Sequence, residues 1–482
     1  MSKNITCVTV DDPKLSALFR PFALKMEQQG LPAIVINTFK CYFNQFLYGA
    51  QGKLNCHDIL SIKDDELPEY ETLERYKPLG ERSLHKAAVI KLNGGLGTSM
   101  GLESAKSLIP VKDGLNFLDL ILLQATRVRS RYGVEFPQIF MNSFKTHMET
   151  MLEIGDFNNG STGISLAFLQ HRYPKILAKD FAPATWPQNP ELEWNPPGHG
   201  DIYTALVTSG LLDALLERGY EYAFISNSDN LGAIMNRRLL GYMVHHKLPF
   251  LMEVARRTDQ DKKGGHLCRL KKNNQFALRE VAQCPDQEMD LFCDINTYKF
   301  FNTNSIWVDL RVVQSVFIAH RMMPLDLIIN PKTLDPRDPD SPRVFQLETA
   351  MGSAITSFDN AQAVIVPRKR FAPVKTTADL LQVMSDCYIR TEQDTITPNP
   401  ARELPMPRVC LDQRFYRKID TFLERIPQNP PSLMHCTSLT IEGDVRFEEN
   451  VRCEGEVRIV NTGPEQAVIA AHSVLRGEVI YT

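Results

Sequence analysis

A glycine-rich loop is the first feature of the sequence that could bind an anion. Residues 92–98 read Leu-Asn-Gly-Gly-Leu-Gly-Thr and follow a short apolar run at 87–92. Glycines let the backbone turn sharply and approach a ligand closely, so that successive N–H groups can converge on phosphate oxygens. Lys106 follows closely enough for its ammonium to reach the same phosphates. The loop is neither a Walker A loop nor a GxGxxG fingerprint, so a plain tight turn is an equally good interpretation of the loop alone.

A second candidate loop carries a histidine between two glycines. Residues 196–201 read Pro-Pro-Gly-His-Gly-Asp and lead into a predicted helix. His199 has few local partners in this setting, which favours contact with a ligand over a purely structural hydrogen bond. Asp201 could simply cap the helix, because aspartate is a preferred N-cap residue.

A third loop could hold a metal ion. Residues 226–232 read Ser-Asn-Ser-Asp-Asn-Leu-Gly directly after a predicted strand. A carboxylate at a strand end is well placed to bind Mg²⁺ and to share it with a phosphate, which makes Asp229 the candidate ligand. The alternative is an Asx-turn or a helix cap, although a single turn does not require so many Asn and Asp residues.

Three further segments are weaker candidates. The amides at 301–304 could contact sugar hydroxyls or could form a hairpin turn, and the loop at 261–266 is typical of a flexible surface loop. The basic cluster at 368–375 could steer a polyphosphate, or it could be a solvated face.

Composition limits the class of protein. The chain has 482 residues, 43% hydrophobic residues and a formal net charge of −3, so it is a globular chain without the basic surface that nucleic-acid binding requires. Its ten cysteines include no CxxC pair, which is typical of a reducing compartment. No uninterrupted apolar stretch approaches the length of a membrane span, and the first residues do not resemble a signal peptide. We therefore expect a cytoplasmic protein that binds neither nucleic acid nor membranes.

The elements that must position these loops fall into three parts. Helical spacing of apolar residues predicts helix at 12–85, within an N-terminal segment at 1–84. At 85–385, predicted strands at 87–92, 138–141, 164–169, 222–225 and 250–254 alternate with predicted helices such as 117–131 and 202–216. This alternation predicts an α/β domain with a mostly parallel sheet, whose ligands bind at the carboxyl ends of the strands.

The last part, at 386–482, is predicted to be a linker helix followed by a C-terminal domain. Two sets of apolar residues recur there every six positions: Leu433, Leu439, Val445, Val451 and Val457, and Ile441, Phe447, Cys453 and Ile459. A period of six favours a β-helix over a β-meander with coincidental spacing. The open edge of a β-helix could support a homo-oligomer, or the coil could pack against its own catalytic domain.

Seven motifs, taken in order, resemble one enzyme family. They are LNGGLGTSMG, PPGHGDIYTAL, SDNLGA, EVARRTDQDKKGGHL, FFNTNSIW, QLETAMG and VPRKRFAPVKTTADLL. Together they resemble the eukaryotic-type UTP–glucose-1-phosphate uridylyltransferases, also called UDP-glucose pyrophosphorylases. The resemblance implies a Rossmann-like nucleotidyltransferase domain with a mixed, mostly parallel sheet, an N-terminal helical segment and a C-terminal left-handed β-helix. It also implies Mg²⁺-dependent formation of UDP-glucose and pyrophosphate from UTP and α-D-glucose 1-phosphate.

The resemblance also assigns roles to individual residues. The residues implied to bind the nucleotide are Leu92, Asn93, Gly94, Gly95, Lys106, Gln170, Gly198 and Lys375. The residues implied to bind the sugar phosphate are His199, Asn227, Ser228, Asp229, Gly265 and Asn304. Lys106 and Lys375 would be the catalytic lysines, and Asp229 would be the Mg²⁺ ligand.

Two rival interpretations remain at this stage. One is a pyrophosphorylase of broader specificity, acting on several UDP-sugars or on UDP-N-acetylhexosamines. The other is a non-catalytic sensor of sugar nucleotides that uses its β-helix for assembly. Such a sensor would be expected to lose a catalytic cation or the metal carboxylate, so the presence of Lys106, Asp229 and Lys375 favours an enzyme.

Overall fold

The computed structural model describes residues 13–49, 52–97, 100–102, 104–155, 157, 159–427 and 429–482. The α-helices are α1 Pro13–Gln28, α2 Ala33–Leu47, α3 Lys77–Ser83, α4 Phe117–Tyr132, α5 His147–Ile154, α6 Ile202–Thr208, α7 Leu211–Glu217, α8 Arg237–His246, α9 Met289–Cys293, α10 Leu310–His320, α11 Thr377–Met384, α12 Gln413–Tyr416 and α13 Ile419–Arg425. The strands are β1 Ile59–Leu60, β2 Ala87–Asn93, β3 Pro110–Lys112, β4 Leu115–Asn116, β5 Gln138–Asn142, β6 Ala167–Leu169, β7 Tyr173–Pro174, β8 Ile176–Leu177, β9 Trp194–Asn195, β10 Tyr222–Asn227, β11 Phe250–Arg256, β12 His266–Leu270, β13 Phe276–Arg279, β14 Phe300–Asp309, β15 Leu327–Thr333, β16 Arg343–Thr349, β17 Gln362–Ile365, β18 Tyr388–Arg390, β19 Ile396–Pro398, β20 Arg408–Leu411, β21 Ser432–Glu442, β22 Val445–Phe447, β23 Arg452–Asn461, β24 Ala467–Ile469 and β25 Val474–Tyr481.

A large mixed sheet forms the centre of the molecule. Its strand order is β1-β12-β14-β10-β2-β5-β6, with β11 pairing with β14 and β17, and β13 pairing with β12. The strands from β10 to β6 run parallel to one another. β2 is buried along its whole length, as expected for an apolar strand covered on both faces. The predicted α/β architecture is confirmed, and the sheet is mixed.

Helices cover both faces of this sheet. On one face Ile90 belongs to a core cluster with Ile202 of α6 and Leu215 of α7. On the other face Val89 belongs to a core cluster with Leu239 of α8. The alternation of side chains along β2 therefore anchors helices on both sides and leaves its carboxyl end as the place for a ligand.

β14 runs against the direction of its neighbours and contains an irregularity. It is antiparallel to both β10 and β11. In the ladder with β11, Ser305 pairs with Glu253 and Asn302 pairs with Val254, so Thr303 and Asn304 are extra residues. Asn304 has a left-handed backbone with φ 57°. Such a bulge redirects a side chain, and here it does so at the carboxyl end of β10.

The N-terminal segment is helical only in part. α1 and α2 are followed by β1, whose Ile59 and Leu60 pair with Leu270 and Arg269 of β12. The prediction of helix throughout 12–85 was therefore wrong beyond Leu47, where short helices and one edge strand follow. Residue 12 lies outside the described residues.

Two predicted boundaries also differ from the structure. The single helix predicted at 202–216 is two helices, because Gly210 adopts φ 72° between them and interrupts the helix. The strand predicted at 164–169 forms only at its end, Ala167–Leu169.

The C-terminal part is a parallel β coil. β20, β21, β23 and β25 form one parallel sheet, and β22 pairs with β24 in parallel. All nine residues of the two six-residue repeats are buried. Their core is continuous with residues of α4 and α11, such as Leu120 and Leu381, so the coil packs against the α/β domain of its own chain.

No helix in the described part of the chain combines the length and the apolar character that crossing a bilayer requires.

Candidate active site

The candidate site lies where β2 and β10 end side by side. Leu92 is in register with Asn227, and the Ser228 N–H donates to the Leu92 carbonyl over 3.1 Å. Because parallel strands end at the same edge, this pairing brings the glycine-rich loop next to the loop at 226–232. Two of the loops selected from the sequence are therefore neighbours.

Gln170 links the glycine-rich loop to the histidine loop. A Cβ built on Gly94 would lie 2.6 Å from Gln170 Oε1, so only glycine fits there without displacing the glutamine. The Gln170 Nε2 donates to the Gly198 carbonyl over 2.9 Å. Gly198 has φ 78°, a conformation that L side chains rarely adopt. Gly94, Gln170 and Gly198 thus form one cluster at the end of β6.

The other predicted nucleotide-binding residues of the first loop differ in exposure. Asn93 is buried, and its Nδ2 donates to Asn142 Oδ1 over 2.8 Å and to Thr150 Oγ1 over 2.9 Å. Its side chain is therefore committed to the interior. Leu92 is buried as well, whereas Gly95 is exposed and has open space around its Cα. Thr98, the last residue of the predicted loop, lies outside the described residues.

Lys106 and Asp229 form an ion pair at the centre of the site. The Lys106 ammonium lies 2.5 Å from Asp229 Oδ2, and the two side chains are 16% and 17% exposed. The second oxygen, Asp229 Oδ1, is buried and has no hydrogen-bond partner among the described residues. A buried carboxylate oxygen without a partner is costly unless a ligand or ion completes it.

This carboxylate is compatible with Mg²⁺ held jointly with a substrate. Within the described residues, no three His, Cys, Asp or Glu side chains converge on one point. Mg²⁺ commonly takes only one or two carboxylates and completes its octahedron with substrate phosphates and water. A single carboxylate with one unpartnered oxygen fits that mode of binding.

A pair of asparagines lies beside this centre. The Asn304 Nδ2 donates to Asn227 Oδ1 over 2.8 Å. Asn304 Oδ1 is buried and has no partner among the described residues, so it can still accept a hydrogen bond. The bulge in β14 thus presents an amide oxygen next to the end of β10, where Asn227 and Ser228 lie.

His199 is held as a neutral ring. Its Nδ1 accepts a hydrogen bond from the Met351 N–H over 3.0 Å, which leaves the ring proton on Nε2. Burial lowers the pKa of His199 to about 4. His199 is therefore a neutral hydrogen-bond donor at pH 7. Asp201 occupies the N-cap position of α6, as the alternative interpretation suggested, but its side chain makes no capping bond there. Its carboxylate instead accepts from the backbone N–H and Nδ1 of His171.

Lys375 is fixed at the start of α11. Asp379 accepts hydrogen bonds from the backbone N–H groups of Lys375 and Thr376, over 2.9 and 2.8 Å. The preceding segment is tied to the loop at 226–232, because the Val374 N–H donates to the Asp229 carbonyl over 3.4 Å. The structure therefore holds the backbone of Lys375 near that of Asp229.

Glu280 is a site residue that the sequence analysis missed. A Cβ built on Gly265 would lie 2.5 Å from the Glu280 carboxyl carbon, so these two residues are in close contact. Burial raises the pKa of the Glu280 carboxyl, and the nearby charge of Lys375 opposes this rise. Gly265, Glu280 and Lys375 thus share one region. Glu280 belongs to no motif and only the pairing of β12 with β13 brings it there, so the sequence carried no signal for it.

The arginines of the basic cluster at 368–375 differ in their exposure and in their partners. Arg368 makes two bonds to the Asp261 carboxylate, over 2.7 and 3.0 Å. Arg370 is buried and makes two bonds to Glu253. The interpretation as a solvated face was therefore wrong for Arg370, whereas Arg368 is 43% exposed. The loop at 261–266, expected to be a flexible surface loop, is anchored by Asp261 and by the buried His266.

Comparison with known sequences identifies the family. The sequence profile of UTP–glucose-1-phosphate uridylyltransferase matches residues 36–454. The chain belongs to this uridylyltransferase family.

Relatives in this family match over nearly the whole chain. The chain is 38% identical over 464 residues to the UTP–glucose-1-phosphate uridylyltransferase of Solanum tuberosum, covering 93% of this chain and 94% of the relative. It is 37% identical over 448 residues to that of Saccharomyces cerevisiae, covering 92% of this chain and 88% of the relative.

Solved uridylyltransferase structures share the fold. A variant of UDP-glucose pyrophosphorylase from Leishmania major, crystallised in complex with UDP-glucose, superposes with a TM-score of 0.87 at 39% identity and covers 96% of this chain and 99% of its own. A structure from Trypanosoma brucei, titled UDP-glucose phosphorylase, has a TM-score of 0.87 at 40% identity and covers 97% of this chain and 100% of its own. The likeness therefore includes the N-terminal helices and the C-terminal coil.

Proposed function

We propose that this chain transfers UMP from UTP to α-D-glucose 1-phosphate and releases pyrophosphate, in a reversible reaction that yields UDP-glucose. The observation that carries the proposal is the Lys106–Asp229 pair, with its unpartnered carboxylate oxygen, next to Asn227 and Asn304. These groups suit a reaction between two anionic substrates, and they occur in a chain of the uridylyltransferase family.

The reaction needs no protein nucleophile. A phosphate oxygen of glucose 1-phosphate attacks the α-phosphorus of UTP in line with the departing pyrophosphate, and this oxygen is already anionic, so no general base is required. The protein must hold the two anions together and offset their repulsion. Lys106 and Lys375 act as the catalytic cations on the nucleotide phosphates.

Mg²⁺ is the proposed cofactor, and Asp229 is its ligand. When bound, the ion supplies positive charge that neutralises the phosphates and the leaving group. Asp229 Oδ1 is the oxygen available to the ion. When the substrates bind, the Lys106 ammonium moves from Asp229 Oδ2 to the phosphates.

The nucleotide binds along the cluster of Gly94, Gln170 and Gly198. Gln170 reads the edge of uracil by hydrogen bonds, and a site built on such bonds rejects bases that cannot make them. Leu92, Asn93 and Gly95 line the same end of the site, where Gly95 lets the ligand approach the backbone.

The sugar phosphate binds on the side of β14. Asn304 and Gly265 contact the glucose, and Glu280 accepts hydrogen bonds from its hydroxyls. Asn227, Ser228 and Asp229 lie at the sugar phosphate, and neutral His199 donates to it.

The finer architecture follows the same proposal. The chain comprises an N-terminal segment at 1–84, a Rossmann-like catalytic domain at 85–385 and a C-terminal region at 386–482 that ends in a left-handed β-helix. The family resemblance, the six-residue repeat and the parallel coil support this division. The coil's edge strand β25, with exposed Val474 and Ile480, is the proposed surface for a homo-oligomer. The proposed compartment is the cytoplasm.

A pyrophosphate-release assay tests the function. Purified protein is supplied with UTP, Mg²⁺ and, in separate reactions, the 1-phosphates of glucose, galactose and N-acetylglucosamine. Pyrophosphate release is expected chiefly with glucose 1-phosphate. Comparable turnover of the other sugars would favour the broader-specificity alternative, and no release with any of them would refute the proposal.

A further inference from the structure

A buried lysine lies directly beneath residues 226–232, the loop that carries the proposed Mg²⁺ ligand and that we call the metal loop. The proposed mechanism does not use this lysine. Lys91 is on β2, is paired with Ser226 of β10, and is only 2% exposed. Its side chain lies on the sheet face that carries Phe224, whose ring centroid is 5.8 Å from the ammonium. A lysine is almost never buried unless specific contacts hold it there.

The Lys91 ammonium connects the two ends of the metal loop. It donates to Ser226 Oγ over 2.8 Å and to the Ala233 carbonyl over 2.6 Å. Ser226 precedes Asp229 by three residues, and Ala233 follows it by four. The chain between these two anchor points contains Asn227, Ser228 and Asp229, so a single side chain fixes the span of the loop that carries them.

A second buried cation holds the next carbonyl of the same segment. Arg370 binds Glu253 over 2.6 and 2.7 Å and donates to the Ile234 carbonyl over 3.1 Å. The carbonyl of Arg370 accepts from Asn230 Nδ2 over 3.1 Å. Arg370 therefore joins the metal loop to the segment that leads to Lys375.

Burying the charged groups of Lys91 and Arg370 costs free energy, which indicates that their hydrogen bonds to the metal loop are needed. Burial lowers the pKa of Lys91 to about 7, and the charge of Arg370 adds to this effect while Glu253 and Asp229 oppose it. An apolar side chain of similar length would fill the space without this desolvation cost. A methionine would not, however, bind the Ala233 carbonyl or the Ser226 hydroxyl.

We propose that Lys91 is a positioning residue for Asp229, and that it acts with the Arg370–Glu253 pair to hold the metal loop in register with Lys375. The inference rests on the proposed function for its kinetic consequences. Lys91 contacts neither substrate nor metal in this arrangement, because it acts through the backbone and hydroxyl of the loop.

Lys91→Met is the direct kinetic test, and Lys175→Met is its matched control. Lys175 is also a buried lysine, and its ammonium donates to the Leu334 carbonyl over 3.0 Å, outside the candidate site. Lys91→Met is expected to lower kcat by about 10- to 100-fold, because a small misplacement of catalytic groups has effects of that size. It should also raise the Mg²⁺ concentration that gives half-maximal rate, while KM for UTP changes by less than about threefold. Lys175→Met should leave all three values near wild type.

Hydrogen–deuterium exchange gives a second readout that does not depend on activity. Faster exchange at residues 227–236 is expected in Lys91→Met and not in Lys175→Met. If Lys91→Met does not fold, Ser226→Ala removes one acceptor of the same ammonium and should shift Mg²⁺ dependence and exchange in the same direction by less. A folded Lys91→Met, or Ser226→Ala in its place, with wild-type Mg²⁺ dependence and exchange would overturn the inference. If the wild-type protein forms no product, the proposed function fails, and exchange alone still decides the role of Lys91.

Discussion

The Lys106 ammonium lies 2.5 Å from Asp229 Oδ2. The proposed catalytic cation and the proposed metal ligand therefore form an ion pair with each other. The two side chains are largely buried, so either charge alone would be costly there. Under the proposed function, substrate binding exchanges this ion pair for contacts to phosphate and to the proposed metal.

Loss of either proposed catalytic lysine should impair turnover strongly. We expect Lys106→Ala or Lys375→Ala to lower kcat by about 10²-fold or more, because one preorganised charge near a developing anion has an effect of that size. Initial rates of pyrophosphate release at saturating UTP and glucose 1-phosphate measure this. Lys271→Ala, at an exposed turn, serves as the control. Near-normal turnover of a variant would remove the catalytic assignment of that lysine.

Replacing Gly94 or Gly95 with alanine should distinguish contact with Gln170 from contact with the bound nucleotide. Gly94→Ala would place a methyl group 2.6 Å from Gln170 Oε1, so it should displace the glutamine and raise KM for UTP by about tenfold or more. Gly95→Ala meets no atom within 4 Å in the free protein. Any rise in KM for Gly95→Ala therefore reports contact with the bound nucleotide. Unchanged KM in Gly94→Ala would contradict the role of this cluster.

Replacement of Glu280, the carboxylate that the sequence did not reveal, should weaken binding of the sugar phosphate and not of the nucleotide. Glu280→Gln keeps the shape of the side chain but weakens hydrogen bonds to sugar hydroxyls, because a charged acceptor binds them more strongly than an amide does. We expect KM for glucose 1-phosphate to rise by about tenfold while KM for UTP stays within about twofold. Equal effects on both substrates would indicate general disruption of the site instead.

A buried histidine should make stability depend on pH. His266 is fully buried, and burial, together with the charges of Arg257 and Arg279, lowers its pKa to about 3. The unfolded chain then binds a proton near pH 6.5 that the folded chain does not bind, so stability is complete above that pH and falls as pH decreases toward 3.

The slope of this decrease can be measured directly. Between pH 6 and 4.5, His266 should contribute a loss of about 1.4 kcal/mol in free energy of unfolding per pH unit. His266→Phe, which keeps a ring next to Tyr298, should show a shallower decrease in urea titrations. A wild-type slope in His266→Phe would contradict the assignment, and measurement at pH 8 checks that the variant is folded.

The features that were predictable from sequence depend on local patterns. The apolar run at 87–92 identified β2, and the six-residue repeat identified the buried positions of the coil, because both patterns reflect which side chains face a core. The position of the loops at 92–98 and 226–232 at the carboxyl ends of strands followed from the predicted α/β alternation, whereas the pairing of β2 with β10 that makes them neighbours did not.

The features that were missed depend on long-range pairing. Glu280 reaches Gly265 only because β13 folds back on β12. Arg370 looks solvated in sequence because its partner, Glu253, is 117 residues away on β11. One residue, Gly210, interrupts the helix predicted at 202–216, and a periodic apolar pattern does not reveal its left-handed backbone conformation.

The bulge in β14 limits which residues can replace Asn304, the proposed sugar contact. Asn304 has a left-handed backbone, which few residues other than glycine, asparagine and aspartate adopt easily. Substitution at this position therefore has a narrow viable range, whatever new sugar is favoured. A lineage or an engineer seeking a different acceptor would have more freedom at Glu280, whose chain conformation imposes no such restriction.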